Sequence, residues 1–194
     1  MGSDIVDFSF SGSVPTKVGN CVEMSEGSYG ICNFNPFVNK VSTFTLELYV
    51  KNIGSLTDTY LMTFSMAMQY GIAIHFVEPS YSSIDQLSVD VKIYNNSTFD
   101  FIHGTKATLN MPIYVQMTCL NGNLKLYMDG KLVSTANNFS MQIPSSGGAF
   151  TLGNNISSPS YSTSELAFAS FRYYGRSLTK DELDKNRQFD LSIY

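Results

Sequence analysis

The sequence predicts an all-β chain, folded as a two-sheet antiparallel sandwich with one short C-terminal helix. Three observations predict it. Strand-length segments of alternating apolar and polar residues recur along the 194 residues. Two Asx-Gly dipeptides stand between such segments. A single helix-start signal lies near the C-terminus.

The first clear strand is Phe44-Thr-Leu-Glu-Leu-Tyr-Val50. Its period of two puts Phe44, Leu46, Leu48 and Val50 on one face and Thr45, Glu47 and Tyr49 on the other. Leu61 to Met68, Gly71 to Val77 and Leu87 to Tyr94 read as further strands, bounded by Gly71, Pro79 and the Asn95-Asn96 pair. Ile113 to Cys119 and Leu124 to Met128 pair across Asn121-Gly122, whose residues tolerate the positive φ of a type I′ turn. Asp129-Gly130 repeats the signal and leads into Lys131 to Thr135, so three consecutive antiparallel strands follow from two turns. Gly147-Gly148 and the Ser157 to Ser160 stretch read as loops. Thr179-Lys-Asp-Glu182 is a capping box: the Thr179 hydroxyl accepts from the Glu182 N–H and Glu182 reaches back. Leu178 and Leu183 flank it at staple positions, and Asp181 and Glu182 suit the positive end of the helix dipole. The expected helix is about two turns long and must be docked to persist.

Composition narrows the function classes. The length fits a single domain over 1–194, and 43% hydrophobic residues, with 14 Phe, 12 Tyr and no Trp, supply a full core. Charged residues make up 14%, below the usual quarter. A neutral surface rich in Ser, Thr and Asn suits a protein working outside the cytoplasm or in a large assembly. A net charge of −4 without a basic cluster argues against a nucleic-acid partner. Apolar runs are strand-length, so membrane insertion is not expected. The N-terminus Met-Gly-Ser-Asp-Ile-Val-Asp-Phe has no signal-peptide pattern, leaving a removed signal or assembly into a particle as routes to an extracellular or virion surface.

Three cysteines make no complete disulfide framework. The favoured reading is that Cys21, Cys32 and Cys119 are reduced and buried, with a Cys21–Cys32 hairpin bridge as the alternative. His75, alternating with Ile74 and Phe76, is expected on the polar side of its strand, and His103, before Gly104, in a turn. No zinc-ligand spacing, nucleophile elbow or phosphate-cradling loop is present. The sequons opened by Asn95, Asn96, Asn138 and Asn155 are read as loop markers.

Several of these segments together resemble a known family. Leu124-Lys-Leu-Tyr-Met-Asp-Gly-Lys-Leu-Val133 resembles the "L-x-L-Y-V-D-G-x-L-V" hairpin of concanavalin A-like lectin/glucanase domains of the laminin G-like group. Phe171-Arg-Tyr-Tyr-Gly-Arg-Ser-Leu-Thr-Lys-Asp-Glu-Leu183 is similar to that group's closing strand and helix, and Phe150-Thr-Leu-Gly-Asn154 to the strand between. Phe44 to Lys51 resembles the early strand, with Tyr49 where Trp usually stands, and Asp7-Phe8-Ser-Phe10 the opening one. The resemblance covers nearly the whole chain and implies a jelly-roll sandwich. The chain departs from the family at Phe168-Ala169-Ser170-Phe171, where many members carry an acidic pair. Calcium, which some members bind on rim loops, is therefore not supported. The oxygen-rich segments at Asp58, Asn95-Asn96 and Asn154-Asn155 form no dense carboxylate cluster, and the identity of any metal ligands stays open. The glucanase pattern "E-x-D-x-x-E" is absent: Glu47 stands alone, Glu78 precedes Pro79, and Glu165 is followed by Leu-Ala-Phe.

The expected function is a non-catalytic binding or adhesion module recognising carbohydrate or a glycoprotein surface. Sugar recognition needs an aromatic platform and fixed amide or hydroxyl groups. The loop residues that combine these are Tyr29, Tyr81, Asn95, Asn96, Asn154, Asn155 and Tyr161. The competing expectation is a structural virion component, a bacteriophage capsid decoration or tail-associated protein, whose partners are other proteins of the particle.

Overall fold

The computed structural model describes residues 9–12, 16–25, 28–32, 34, 36–37, 39–52, 59–66, 70–77, 86–95, 98–108, 111–142, 149–153 and 165–194. Among these, fourteen strands form two seven-stranded antiparallel sheets. The first sheet runs, in spatial order, β1 (Ser9–Ser11), β4 (Tyr29–Cys32), β13 (Ala149–Leu152), β6 (Thr59–Met66), β7 (Tyr70–Val77), β8 (Gln86–Asn95) and β9 (Thr98–Thr108). The second runs β12 (Lys131–Ala136), β11 (Asn123–Met128), β10 (Ile113–Leu120), β5 (Phe44–Asn52), β14 (Leu166–Tyr174), β3 (Cys21–Met24) and β2 (Thr16–Val18). This is the two-sheet sandwich that the alternating segments predict, and the jelly roll that the family resemblance implies. The core between the sheets takes Phe44, Leu46, Leu48 and Val50 from β5, packed with Met62, Ile72, Ile74, Val89, Val91 and Phe150.

The two Asx-Gly turns form as expected. Asn121 and Gly122 have φ of 49° and 82°, Asp129 and Gly130 of 49° and 79°, which fits mirror-image turns matched to strand twist. Gly122 is required for a second reason. Its N–H donates to the Ser42 carbonyl, and a Cβ there would stand 3.0 Å from the Phe139 carbonyl oxygen.

Four expectations need correction, and the polar face of β5 proves to be covered. Thr45, Glu47 and Tyr49 lie on the opposite face as expected but are 0%, 0% and 5% exposed. The reason is α1 (Lys180–Ile193), which has 14 residues rather than about two turns and lies over that face. His75 is buried, because β7 is covered on both faces from Gly71 to His75. His103 is in β9 paired with Asp90, not in a turn. The register shift there sets one residue, Val89, against Gly104 and Thr105, so the glycine marks a bulge. The three cysteines are free, yet Cys21 is only half-buried.

A second bulge decides what α1 rests on. Phe168 pairs with Val50 and Ser170 with Tyr49, leaving Ala169 as the extra residue. The insertion reverses parity, so Phe168 and Phe171 both pack on the core while Ser170, Arg172 and Tyr174 register with Tyr49, Glu47 and Thr45 on the outer face.

Candidate functional site

Among the described residues two places gather polar side chains, and they differ in access. The first is the layer between α1 and the outer face of the second sheet. Gln116 Nε2 donates to Glu47 Oε1 at 2.7 Å and to the Leu183 carbonyl at 2.9 Å. Asn186 Nδ2 donates to Glu47 Oε2 at 2.7 Å and to the Tyr174 hydroxyl at 3.1 Å. Arg172 grips the Asp190 carboxylate with both terminal nitrogens, one at 2.7 Å, and Ser170 donates to the same carboxylate at 2.8 Å. Burial raises the Glu47 carboxyl above its ordinary value, against the donors Gln116 and Asn186 and the Arg172 charge. Burial acts on Asp190 in the same direction, but the hydrogen bonds from Arg172, Tyr114 and Ser170 outweigh it and hold that carboxyl low. Tyr114 is driven well above its ordinary value by burial and by the Glu47 and Asp190 charges.

This layer contains the chemistry-bearing groups that usually mark active sites. Glu47 and Asp190 are nevertheless 0% exposed, and α1 closes the layer. The helix is fastened at its start by the capping box at Thr179 and Glu182, by Arg176 on Glu182 at 2.7 and 3.0 Å, and by the Leu178 N–H on the Thr45 hydroxyl at 2.9 Å. At its other end Asn20 Nδ2 donates to the Ile193 carbonyl at 2.9 Å, and Tyr194 meets Tyr49 edge-on. The arrangement docks a helix.

The second place is open. A cavity of about 180 Å³ lies at the sandwich rim, lined by Thr16, Glu23, Met24, Ser25 and Glu165. Pairing assembles it: Thr16 of β2 registers with Glu23 of β3, and Met24 with Leu166, the first residue of β14 after Glu165. Met24, 2% exposed, turns its side chain into the core, while Thr16, Ser25 and Glu165 are exposed and Glu23 is half-buried. Gly153 (φ +80°), after β13, approaches that side chain from the first sheet, and a Cβ there would stand 3.0 Å from Met24 Cε and 3.2 Å from the Ser28 carbonyl oxygen. Among the described residues no group of three His, Cys, Asp or Glu side chains is placed to hold a metal ion.

The predicted site residues divide about this geometry. Tyr29 begins β4 beside Ser28, half-buried against the core. Tyr81, Asn96, Asn154, Asn155 and Tyr161 lie outside the described residues. Gly153 and Val77, which precede the segments containing Asn154, Asn155, Tyr161 and Tyr81, are at the Tyr29 end of the first sheet. Asn95 closes β8 against Thr98 at the opposite end. One site therefore cannot include Asn95 together with Tyr29. Sequence reasoning missed Thr16, Glu23, Met24 and Ser25 as site residues and weighed Glu165 only for hydrolysis. Their convergence comes from β2–β3–β14 pairing between distant segments, which leaves no local motif.

The comparisons add family and fold. The family model Laminin_G_3, described as the concanavalin A-like lectin/glucanases superfamily, matches residues 26–184. No curated protein sequence matches the chain. Among solved structures, the binding domain of botulinum neurotoxin DC in complex with SialylT superposes with a TM-score of 0.69 at 11% identity. A structure titled "Cell entry of botulinum neurotoxin type C is dependent upon interaction with two ganglioside molecules" gives 0.66 at 14%. Each likeness covers 95% of this chain and 46% of the other. The chain thus spans about half the length of these proteins, and at such identities the likeness concerns the fold. Among the described residues no helix is long and apolar enough to cross a membrane.

Proposed function

The chain belongs to the concanavalin A-like lectin/glucanases superfamily, and from that premise we propose that it is a non-catalytic module binding carbohydrate or a glycoprotein surface outside the cell or on a particle. The observation that carries this reading is the open polar cavity at the rim, built on paired strands. Its hydroxyl and carboxylate oxygens suit the hydroxyls of a sugar ring. Solved proteins that carry this fold over about half their length are named for a complex with SialylT and for interaction with ganglioside molecules, which accords with a binding role. The sealing of Glu47 and Asp190 beneath α1 supports the non-catalytic part, because their carboxylates cannot meet a glycosidic bond there. Asn154, Asn155, Tyr161 and Tyr81 are proposed as the loop contribution to this rim.

The test is a glycan array with the purified protein, with calcium and with chelator, followed by assay of bound glycans for released reducing sugar. Reproducible binding without release is the expected result, and the double substitution Asn154→Ala/Tyr161→Ala is expected to abolish it. Hydrolysis would overturn the non-catalytic reading. Binding lost with chelator would bring in calcium. A blank array in both conditions would refute the glycan reading and leave a protein of the chain's own assembly, such as a virion component, as the partner.

A further inference from the structure

Resting on the glycan reading, we infer that the rim cavity is a subsite for an uncharged, hydroxyl-rich sugar ring, and that Glu23 and Glu165 exclude anionic sugars from it. Among the described residues its polar lining is two carboxylates and two hydroxyls, from Glu23, Glu165, Thr16 and Ser25, and no cationic side chain lines it. Carboxylates only accept hydrogen bonds, and each offers two oxygens that a vicinal pair of sugar hydroxyls can bridge. The register fixes this set. Glu23 pairs with Ala167 of β14, and Glu165 directly precedes the Leu166–Met24 pair, so the carboxylates rise from adjacent strands. Lys51 registers with Ala167 on the far side of β14 and stays outside the lining.

Size decides between a ring and a simple cation. At roughly 30 Å³ per water, the 180 Å³ cavity holds several water volumes. An ammonium group would leave most of it unfilled. The volume falls below the roughly 300–1,000 Å³ of drug-sized sites, so it suits one ring of a longer glycan. A sugar carboxylate in this space would meet two protein carboxylates at close range with no compensating donor beyond two hydroxyls. That repulsion is expected to weaken an acidic glycan about tenfold or more against its neutral counterpart at low salt, and less at high salt.

The experiment compares matched neutral and sialylated or uronic glycans by array and titration, under chelator, for the wild type and Glu23→Gln/Glu165→Gln. Thermal melts confirm that both fold, which these rim positions favour. The expected result is neutral binding at least about tenfold tighter than acidic, with the gap closing in the double variant. Equal or tighter binding of acidic glycans would overturn the inference while leaving the binding module intact. An unchanged gap between neutral and acidic glycans in the double variant would also overturn it, by placing the site elsewhere. So would capture of a lysine-rich peptide that the double variant loses, since the occupant would then be a cation. A blank array refutes the parent reading itself, and this one with it.

Discussion

Replacing Glu47 with glutamine tests whether the layer beneath α1 is built around a charge or merely tolerates one. Glu47 is fully buried, and burial is the largest influence on its carboxyl, raising it despite Gln116, Asn186 and Arg172. The replacement keeps shape. The new side-chain oxygen still accepts from Gln116, the new amide donates toward Asn186, and Asn186 turns its own amide over to accept. Tyr174, which accepts from Asn186 in the wild type, rotates its hydroxyl to donate. A buried charge is removed at little cost in hydrogen bonds, so E47Q is expected to stabilise the native state at pH 8 by roughly 1 kcal/mol. That is a rise in Tm of about 2–4 °C for a chain of this size. The pH dependence has a definite sign. A carboxyl raised in the native state gives a contribution that is present below its unfolded pKa and lost as pH rises through the native one. The advantage of E47Q therefore shrinks as pH falls, because the wild-type carboxyl takes its proton at a higher pH when buried than when unfolded. Glu47→Leu is the contrast: Gln116 and Asn186 each lose an acceptor in a buried site, a destabilisation of roughly 2–4 kcal/mol. Urea unfolding at pH 8 and pH 5 measures all three. E47Q less stable than wild type by more than about 1 kcal/mol at pH 8 would refute the reasoning, because the charge would then be a net anchor for Arg172.

The ion pair under α1 and the Asn121-Gly122 turn are open to similar tests. Arg172→Met leaves the fully buried Asp190 without its cation and is expected to cost about 3–5 kcal/mol by chemical denaturation. Adding Asp190→Leu should recover much of that loss, and a single-variant cost below about 1 kcal/mol would mean the pair does not fasten α1. Gly122→Ala is expected to cost more than about 2 kcal/mol, since it combines φ of 82° with a Cβ 3.0 Å from the Phe139 oxygen. Gly19→Ala, at φ of 61° with nothing within 4 Å, should cost only the backbone part, about 1–2 kcal/mol. Equal melting temperatures for the two variants would remove the steric argument.

What the sequence made legible was what local chemistry determines. Asn121-Gly122 and Asp129-Gly130 announce their turns because positive φ is a property of those residues, and the Thr179–Glu182 box announces its helix for the same kind of reason. The helix's length was not legible. Phe189, Leu191 and Ile193 are its late apolar residues, and all three stay exposed. Its docking rests on Leu183 in an early turn, packed with Tyr127 and Leu178, and beyond it on Asn186 and Asp190, so the long apolar stripe by which a helix declares itself is missing. The same fact hid the burial of Glu47 and Thr45: alternation reports which face is apolar, not whether the polar face is covered. The Ala169 bulge, which turns Ser170 and Arg172 toward the helix, has no signature in Phe168-Ala169-Ser170-Phe171 beyond the small residue itself.

Coverage on both faces also restricts where a ligand can act. Every residue from Phe44 to Val50 of β5, from Ile113 to Cys119 of β10, and from Gly71 to His75 of β7 is buried. A partner therefore finds no open face on these stretches, whereas a rim and an edge remain open to it. The cavity satisfies both conditions, because β2 is an edge strand whose Thr16, Lys17 and Val18 are all exposed. Its walls are nonetheless held by the β2–β3–β14 ladder and by Met24 in the core. Paired backbone on one side and open oxygens on the other give a site that needs little ordering when a ring enters. Such preorganisation lets a small contact area discriminate between ligands, and it ties selectivity to the two side chains that carry charge there, Glu23 and Glu165.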